Sequence, residues 1–250
     1  ATPLRMMGAH ISLRDGNFPP IGISETASLK AITYSLPVAS AQVKSAILFA
    51  ALFAEGVTVV EENVATRDHT ERMLEFFGVD IKRSKGVIAI KGQSFLKATN
   101  IDVPSDLSSA AFFIIGTLIS EGGELILSNV GLNPTRTGVI EILNQMGARI
   151  EILDRKILGN EPVGDLKVSS SALRGIHIDP SLVASAIDEF PAVFIAAACA
   201  EGKTTLRGAG ELRHKESDRL AVMADGLHSL GINVRVFDDG IEITGGVIKG

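Results

Sequence analysis

The stretch Ser40–Gly56, S-A-Q-V-K-S-A-I-L-F-A-A-L-F-A-E-G, decides how this chain folds. It has a polar start, a run of Ala, Leu, Ile and Phe with no polar face, and an acidic-glycine stop. Such a run is too apolar for a surface helix and too short to cross a bilayer, so it reads as a helix buried in a protein core. The same pattern returns twice. D-L-S-S-A-A-F-F-I-I-G-T-L-I-S-E-G ends at Gly122, and D-E-F-P-A-V-F-I-A-A-A-C-A-E-G ends at Gly202. The terminal glycines are expected to close these helices.

What surrounds the three runs repeats as well. A β-rich stretch follows each: V-T-V-V-E-E, E-L-I-L-S-N and T-T-L-R-G. An amphipathic helix comes next, ending at a second glycine: R-D-H-T-E-R-M-L-E-F-F-G at Gly78, N-P-T-R-T-G-V-I-E-I-L-N-Q-M-G at Gly147, and K-E-S-D-R-L-A-V-M-A-D-G-L-H-S-L-G at Gly231. After that lies a strand, a turn and a strand, as in V-D-I-K-R-S-K-G-V-I-A-I-K-G. With the lead-in strands T-N-I-D-V and R-G-I-H-I, the unit is β-α-β-α-β-β, which places the chain in the α/β (α+β) class. Unrelated segments of an ordinary α/β sheet would not repeat that order three times. The opening residues Leu4–Ile11 match the end of a second helix, as at Asn144–Ile150, and the closing Gly240–Gly245 matches a final hairpin. The expectation is an internal fragment of a longer series of repeats, exposing apolar surface meant for a missing one.

Composition excludes several function classes. The 250 residues are 46% hydrophobic, enough for a sizeable core. With 24 Lys+Arg against 29 Asp+Glu the net charge is −5, so the chain is no broadly basic binder of nucleic acid or membrane surfaces. One Cys leaves no intrachain disulfide and no Cys-based zinc site. The five His show no metal-ligand spacing and read as surface or packing residues. Nothing in the first residues resembles the apolar region of a signal peptide. No P-loop occurs, and Gly208-Ala209-Gly210 lacks the third glycine and the strand-to-helix setting of a dinucleotide fingerprint. Cys199 is expected on a buried helix face, behaving as a small hydrophobe.

The polar residues worth naming fall at one phase of the repeat, the helix starts. Ser40, Ala41 and Gln42 open one apolar helix, and Asp188 and Glu189 open its later counterpart. Thr66, Arg67 and Asp68 open a second helix, and Lys215, Glu216 and Arg219 open its counterpart. Helix starts carry unpaired N–H groups and partial positive charge, so cations placed there make an anion site. If the repeats stack alike, these ends face a common cleft. Plain capping stays open beside that reading, with Asp68 and Glu71, or Ser217, as ordinary caps. So does a solvated helix face carrying a Glu216–Arg219 pair.

At these residues the sequence resembles the 5-enolpyruvylshikimate-3-phosphate (EPSP) synthase family. L-P-V-A-S-A-Q-V-K-S-A, T-R-D-H-T-E-R-M-L, I-D-E-F-P and E-L-R-H-K-E-S-D-R-L look like its signature blocks, in order, and the likeness runs along the whole chain. The resemblance implies transfer of the enolpyruvyl group of phosphoenolpyruvate to the 5-hydroxyl of shikimate 3-phosphate, in a cytoplasmic, monomeric parent enzyme with no cofactor or metal. It implies that Ser40, Ala41 and Gln42 hold shikimate 3-phosphate, with Gln42 also reaching phosphoenolpyruvate, and that Thr66 and Arg67 contact phosphate. Asp188 would bind the shikimate hydroxyls and accept a proton. Lys215 would bind shikimate 3-phosphate, Glu216 would act as acid/base at the phosphoenolpyruvate methylene, and Arg219 would bind phosphoenolpyruvate. The implied architecture is two domains of three β-α-β-α-β-β units, an inside-out α/β barrel that closes over its substrates. Residues 1–103 would belong to the shikimate-phosphate-binding domain and 104–250 to the domain carrying the acid/base residues.

The family's first-repeat Lys-Ser segment, its Arg-Pro-Met block and its late His-Arg and Lys residues have no counterpart here, and His214 stands where the family more often has an apolar residue. The expectation is a chain with no turnover of its own. Two other readings remain: a non-catalytic remnant that binds shikimate phosphate, and the related transferase acting on UDP-N-acetylglucosamine. The latter family uses a loop Cys, which fits poorly with Cys199 and with K-E-S-D-R.

Overall fold

Each apolar run folds as a helix between strands, and the computed structural model describes residues 1–249. The chain divides into two compact units, Ala1–Asp102 and Val103–Gly250. The first contains α1 (Thr2–Met6), β1 (His10–Arg14), β2 (Phe18–Ser24), β3 (Leu29–Lys30), β4 (Thr33–Ser35), α2 (Ala41–Ala51), β5 (Ala54–Glu55), β6 (Val57–Glu61), α3 (His69–Phe76), β7 (Ile81–Ser84) and β8 (Val87–Lys91). Its main sheet has the order β4-β6-β8-β7, with β4 parallel to β6 and the other pairs antiparallel. In β8 the alternation V-I-A-I-K sends Ile88 and Ile90 inward, as a sheet with one buried face requires. They meet Ile47, Leu48 and Ala51 of α2 and Leu74 of α3 in one core.

The second unit contains α4 (Leu107–Ile119), β9 (Glu124–Gly131), α5 (Gly138–Gln145), β10 (Arg149–Leu158), β11 (Glu161–Ser169), α6 (Val183–Ala186), α7 (Phe190–Cys199), β12 (Lys203–Leu206), α8 (Arg219–Ser229), β13 (Asn233–Phe237) and β14 (Gly240–Thr244). Its two antiparallel sheets have the orders β10-β11-β9 and β12-β14-β13. The α4 and α7 helices pack on each other inside one core, where Phe190 and Phe194 stack at 5.9 Å between ring centroids. The described sheets are open, with two to four strands each.

The amphipathic helices end as their glycines require. At Gly78, Gly147 and Gly231, φ is positive, and two nested backbone bonds close each end. Gly78 donates to Glu75 and Val79 to Leu74, Gly147 to Asn144 and Ala148 to Leu143, Gly231 to His228 and Ile232 to Leu227. The short α1 ends identically, Gly8 donating to Arg5 and Ala9 to Leu4. The apolar helices differ from expectation. The α4 and α7 helices stop in extended caps, Ser120 and Ala200, and α2 runs into β5, so Gly56, Gly122 and Gly202 lie in the turns beyond rather than at the caps.

Two of the expected lead-in strands do not form. Residues 99–103 carry no strand, and pairing is reduced to one parallel bridge, Ser105 to Val130. Pro104 removes a donor there and restricts Val103 before it. Residues 174–178 make only the bridges Arg174 to Glu201 and His177 to Thr205. Gly175 presses so closely on Lys203 that a Cβ would come within 2.3 Å of its carbonyl oxygen.

Cys199 is also a correction. It is the last residue of α7 and is exposed although Ala196, Ala197 and Ala198 before it are fully buried, so it sits on the side of the final turn that faces away from the core. Partial burial still pushes its thiol up. Phe49 and Phe53 in the first unit, and Phe112 and Phe113 in the second, stand well exposed on or beside the apolar helices. No helix among the described residues is long and apolar enough to cross a membrane.

Candidate functional site

In the first unit the structure brings two helix starts together around a buried cation. Ser40 is the N-cap of α2, its hydroxyl accepting from the Val43 amide at 3.3 Å; Ala41 is the first helical residue, and Gln42 is exposed beside it. Thr66 and Arg67 lie half-buried in the loop from β6 to α3, just before the N-cap Asp68. Between these segments sits Lys44, fully buried, with its Nζ 3.1 Å from Glu62 and 2.7 Å from Glu71. A hydroxyl contact at 2.7 Å joins Ser45 of α2 to Thr70 of α3.

This arrangement overturns the capping reading of Asp68 and Glu71. The Asp68 side chain does not cap α3; its carboxylate accepts from Arg72 at 2.9 Å and from Arg83 at 3.2 Å. Glu71 turns inward to Lys44, and burial pushes its carboxyl above the ordinary 4.5 despite that cation.

In the second unit, four helix starts converge. Arg136, just before the α5 N-cap Thr137, reaches Asp106 at the start of α4 (3.3 Å) and the buried Glu189 at the start of α7 (3.6 Å), and it also bonds Ser108. Ser108 in turn donates to Glu189. Next to Glu189, half-buried Asp188 faces Arg219 at 3.5 Å and Lys215 at 3.7 Å. Arg219 donates to Glu216 at 2.8 Å. The structure therefore gathers Asp188, Lys215, Glu216 and Arg219 into one cluster of two carboxylates and two cations.

The placement of Lys215 and Glu216 corrects the expectation that they open α8. Both lie in the loop before it, after a 3-10 turn over Gly210–His214. Asp218 is the N-cap, accepting from the Ala221 amide at 3.0 Å, and Ser217 is not the cap. A carboxylate there satisfies the exposed amides and the helix dipole together. His214 points to solvent outside the cluster. The backbone N–H of Glu216 itself, then the Arg219 guanidinium, hold the Glu216 carboxyl below its ordinary 4.5, so Glu216 is ionised at neutral pH and is a proton acceptor in this state.

Sequence reasoning passed over Lys44, Glu62 and Arg136. Lys44 carried one signal: it is a charge inside an otherwise apolar helix. Arg136 carried another, since Thr135-Arg136 repeats Thr66-Arg67 at the same distance before a helix. Glu62 had no comparable signal, because its partners come from other elements.

Comparison with known proteins points one way. The family model described as EPSP synthase (3-phosphoshikimate 1-carboxyvinyltransferase) matches residues 1–250. The 3-phosphoshikimate 1-carboxyvinyltransferase of Methylococcus capsulatus (strain Bath) is 56% identical over 248 residues, covering 99% of this chain and 57% of that protein. The protein of the same name from Halorhodospira halophila is 54% identical over 248 residues, covering 99% of this chain and 56% of its own length. A solved structure of EPSP synthase from Acinetobacter baumannii superposes with a TM-score of 0.89 at 55% identity, covering 98% of this chain and 56% of that one. The chain thus spans little more than half the length of the relatives it matches.

Proposed function

The chain belongs to the EPSP synthase family, and from that premise we propose that it carries part of the machinery that moves the enolpyruvyl group of phosphoenolpyruvate onto the 5-hydroxyl of shikimate 3-phosphate, in the cytoplasm. The observation that carries the proposal is the cluster of Asp188, Lys215, Glu216 and Arg219, with two carboxylates and two cations linked at 2.8–3.7 Å. The reaction asks for that set. The 5-hydroxyl must lose a proton as it attacks the enol carbon, while the phosphoenolpyruvate methylene gains one and gives one back as phosphate departs. Two proton-transfer groups and cations for anionic substrates meet those needs.

In this reading Asp188 takes the hydroxyl proton, and Glu216 gives and then recovers the methylene proton. Lys215 binds shikimate 3-phosphate, and Arg219 binds phosphoenolpyruvate. Glu216 must then be protonated before the addition step, although it is ionised in the ligand-free state. The Arg219 contact offers the route. Drawing Arg219 onto the phosphoenolpyruvate anion removes a cation from Glu216 and sets negative charge beside it, and both changes raise its pKa. In the first unit, Ser40, Ala41 and Gln42 at the start of α2, with Thr66 and Arg67 before α3, supply amides and a guanidinium for the 3-phosphate of shikimate 3-phosphate. Domain roles follow the same division, the shikimate-phosphate role falling to residues 1–103 and the acid/base role to 104–250. Binding rather than turnover is the activity assigned to these 250 residues.

Calorimetric titration of shikimate 3-phosphate into the purified chain tests this. Arg67→Ala and Lys215→Ala should each weaken binding on the order of tenfold or more, the value of a charge-assisted hydrogen bond. Unchanged affinity in both variants would leave Arg67 and Lys215 as ordinary surface cations.

A further inference from the structure

Beyond the groups placed against substrate, the first unit contains a buried ion cluster that acts on one of the proposed substrate-binding loops. Lys44 has no exposed surface, and Glu62 and Glu71 beside it are 8% and 1% exposed. A buried ion pair is a poor way to gain stability, because stripping water from the charges offsets most of their attraction. Its partners point to another use. One oxygen of Glu62, Oε2, takes the Lys44 ammonium at 3.1 Å, the Thr66 hydroxyl at 2.8 Å and the Thr66 backbone N–H at 3.3 Å. Lys44 Nζ also donates to the Thr66 carbonyl oxygen at 3.4 Å. Both faces of the Thr66 backbone and its side chain are therefore held from below by one buried pair.

The pair is fixed in turn. Lys44 lies one turn beyond the cap of α2, its amide donating to the Ser40 carbonyl oxygen at 3.1 Å. Glu62 directly follows β6, and its amide donates to the Gly86 carbonyl oxygen at 2.8 Å in the β7–β8 turn. Thr66 thus inherits its position from a helix and a sheet although it lies in a loop, and Arg67 is the next residue.

We propose that Glu62, held by Lys44, is a positioning residue that sets the Thr66–Arg67 loop in its anion-binding geometry before any ligand arrives. This rests on the reading that Arg67 binds shikimate 3-phosphate. A preset loop has already given up its conformational freedom, so the ligand does not have to order it.

The experiment compares Glu62→Ala, Glu62→Gln and Arg67→Ala in the 250-residue chain, titrated with shikimate 3-phosphate, with circular dichroism melts run alongside. Glu62→Ala should weaken binding about tenfold at temperatures where it remains folded. Glu62→Gln should recover most of the loss, because its carbonyl oxygen still accepts from the Thr66 amide and hydroxyl. Wild-type affinity in folded Glu62→Ala would overturn the proposal while leaving Arg67 in place. Absent wild-type binding, or wild-type affinity in Arg67→Ala, would instead remove the reading on which it rests. Should Glu62→Ala fail to fold, amide exchange in the ligand-free wild-type chain decides: a protected Thr66 amide supports a preset loop, and one exchanging at the free-peptide rate overturns it.

Discussion

Glu71 shows how far a side chain's setting can depart from its sequence signal. Three residues after Asp68 at a helix start, it fits a cap; in the fold it is buried against Lys44 with one carboxyl oxygen lacking any partner. Its raised pKa has a signed consequence. Below pH 4.5, Glu71 is protonated in the folded and unfolded chains alike. As pH rises through that value toward the folded pKa, the unfolded chain releases the proton first, so stability falls and then levels off. Glu71→Gln removes this dependence. Urea unfolding between pH 4 and 8 should find wild type losing stability relative to Glu71→Gln as pH rises. A difference that stays flat or grows in favour of wild type would contradict the burial account. Local spacing carried Ser40 to the cap of α2 and put Arg67 and Asp188 one residue before the caps of α3 and α7, because starts are marked by neighbouring residues. The inward turn of Glu71 depends on a residue 27 positions earlier, and nothing local records it.

At the scale of elements, the repeat was legible because its punctuation is chemical: a glycine at positive φ closes α3, α5 and α8 alike. The hairpins return to one backbone contact after each apolar helix, Gly92 to Gly56, Ser170 to Gly123 and Gly245 to Gly202, at 2.8–2.9 Å. Two of these positions are glycine for a steric reason. A Cβ at Gly245 would lie 1.7 Å from the Ala200 carbonyl oxygen, and one at Gly92 would lie 1.8 Å from that of Ala54. Gly245→Ala should therefore cost more than about 2 kcal/mol in chemical denaturation, since backbone must move. Gly226 inside α8 has nothing within 4 Å of its would-be Cβ. Gly226→Ala should stabilise by about 0.5–1 kcal/mol. A Gly245→Ala change as mild as Gly226→Ala would show that close approach to the Ala200 carbonyl does not govern that site. The lead-in strands were misjudged for the opposite reason. Their β-like composition was visible, but Pro104 and the tight seat of Gly175 leave only isolated bridges.

For the molecule as a whole, two cores stand behind two sets of helix starts, one in each unit. The apolar helices build the cores, and their polar first turns carry the candidate residues, so the same repeat supplies stability at one end of a helix and chemistry at the other. Periodicity shows which residues are buried. It does not show which polar starts meet, since Arg136 reaching Asp106 and Glu189 is a matter of how helices pack. The central claim is that the starts of α2 and α3 form a site for shikimate 3-phosphate. Amide hydrogen exchange with and without that ligand tests it most directly. The account predicts slowed exchange confined in the first unit to residues 40–43 and 66–69, and lost in Arg67→Ala. Ligand-induced protection elsewhere with these segments unchanged would contradict it.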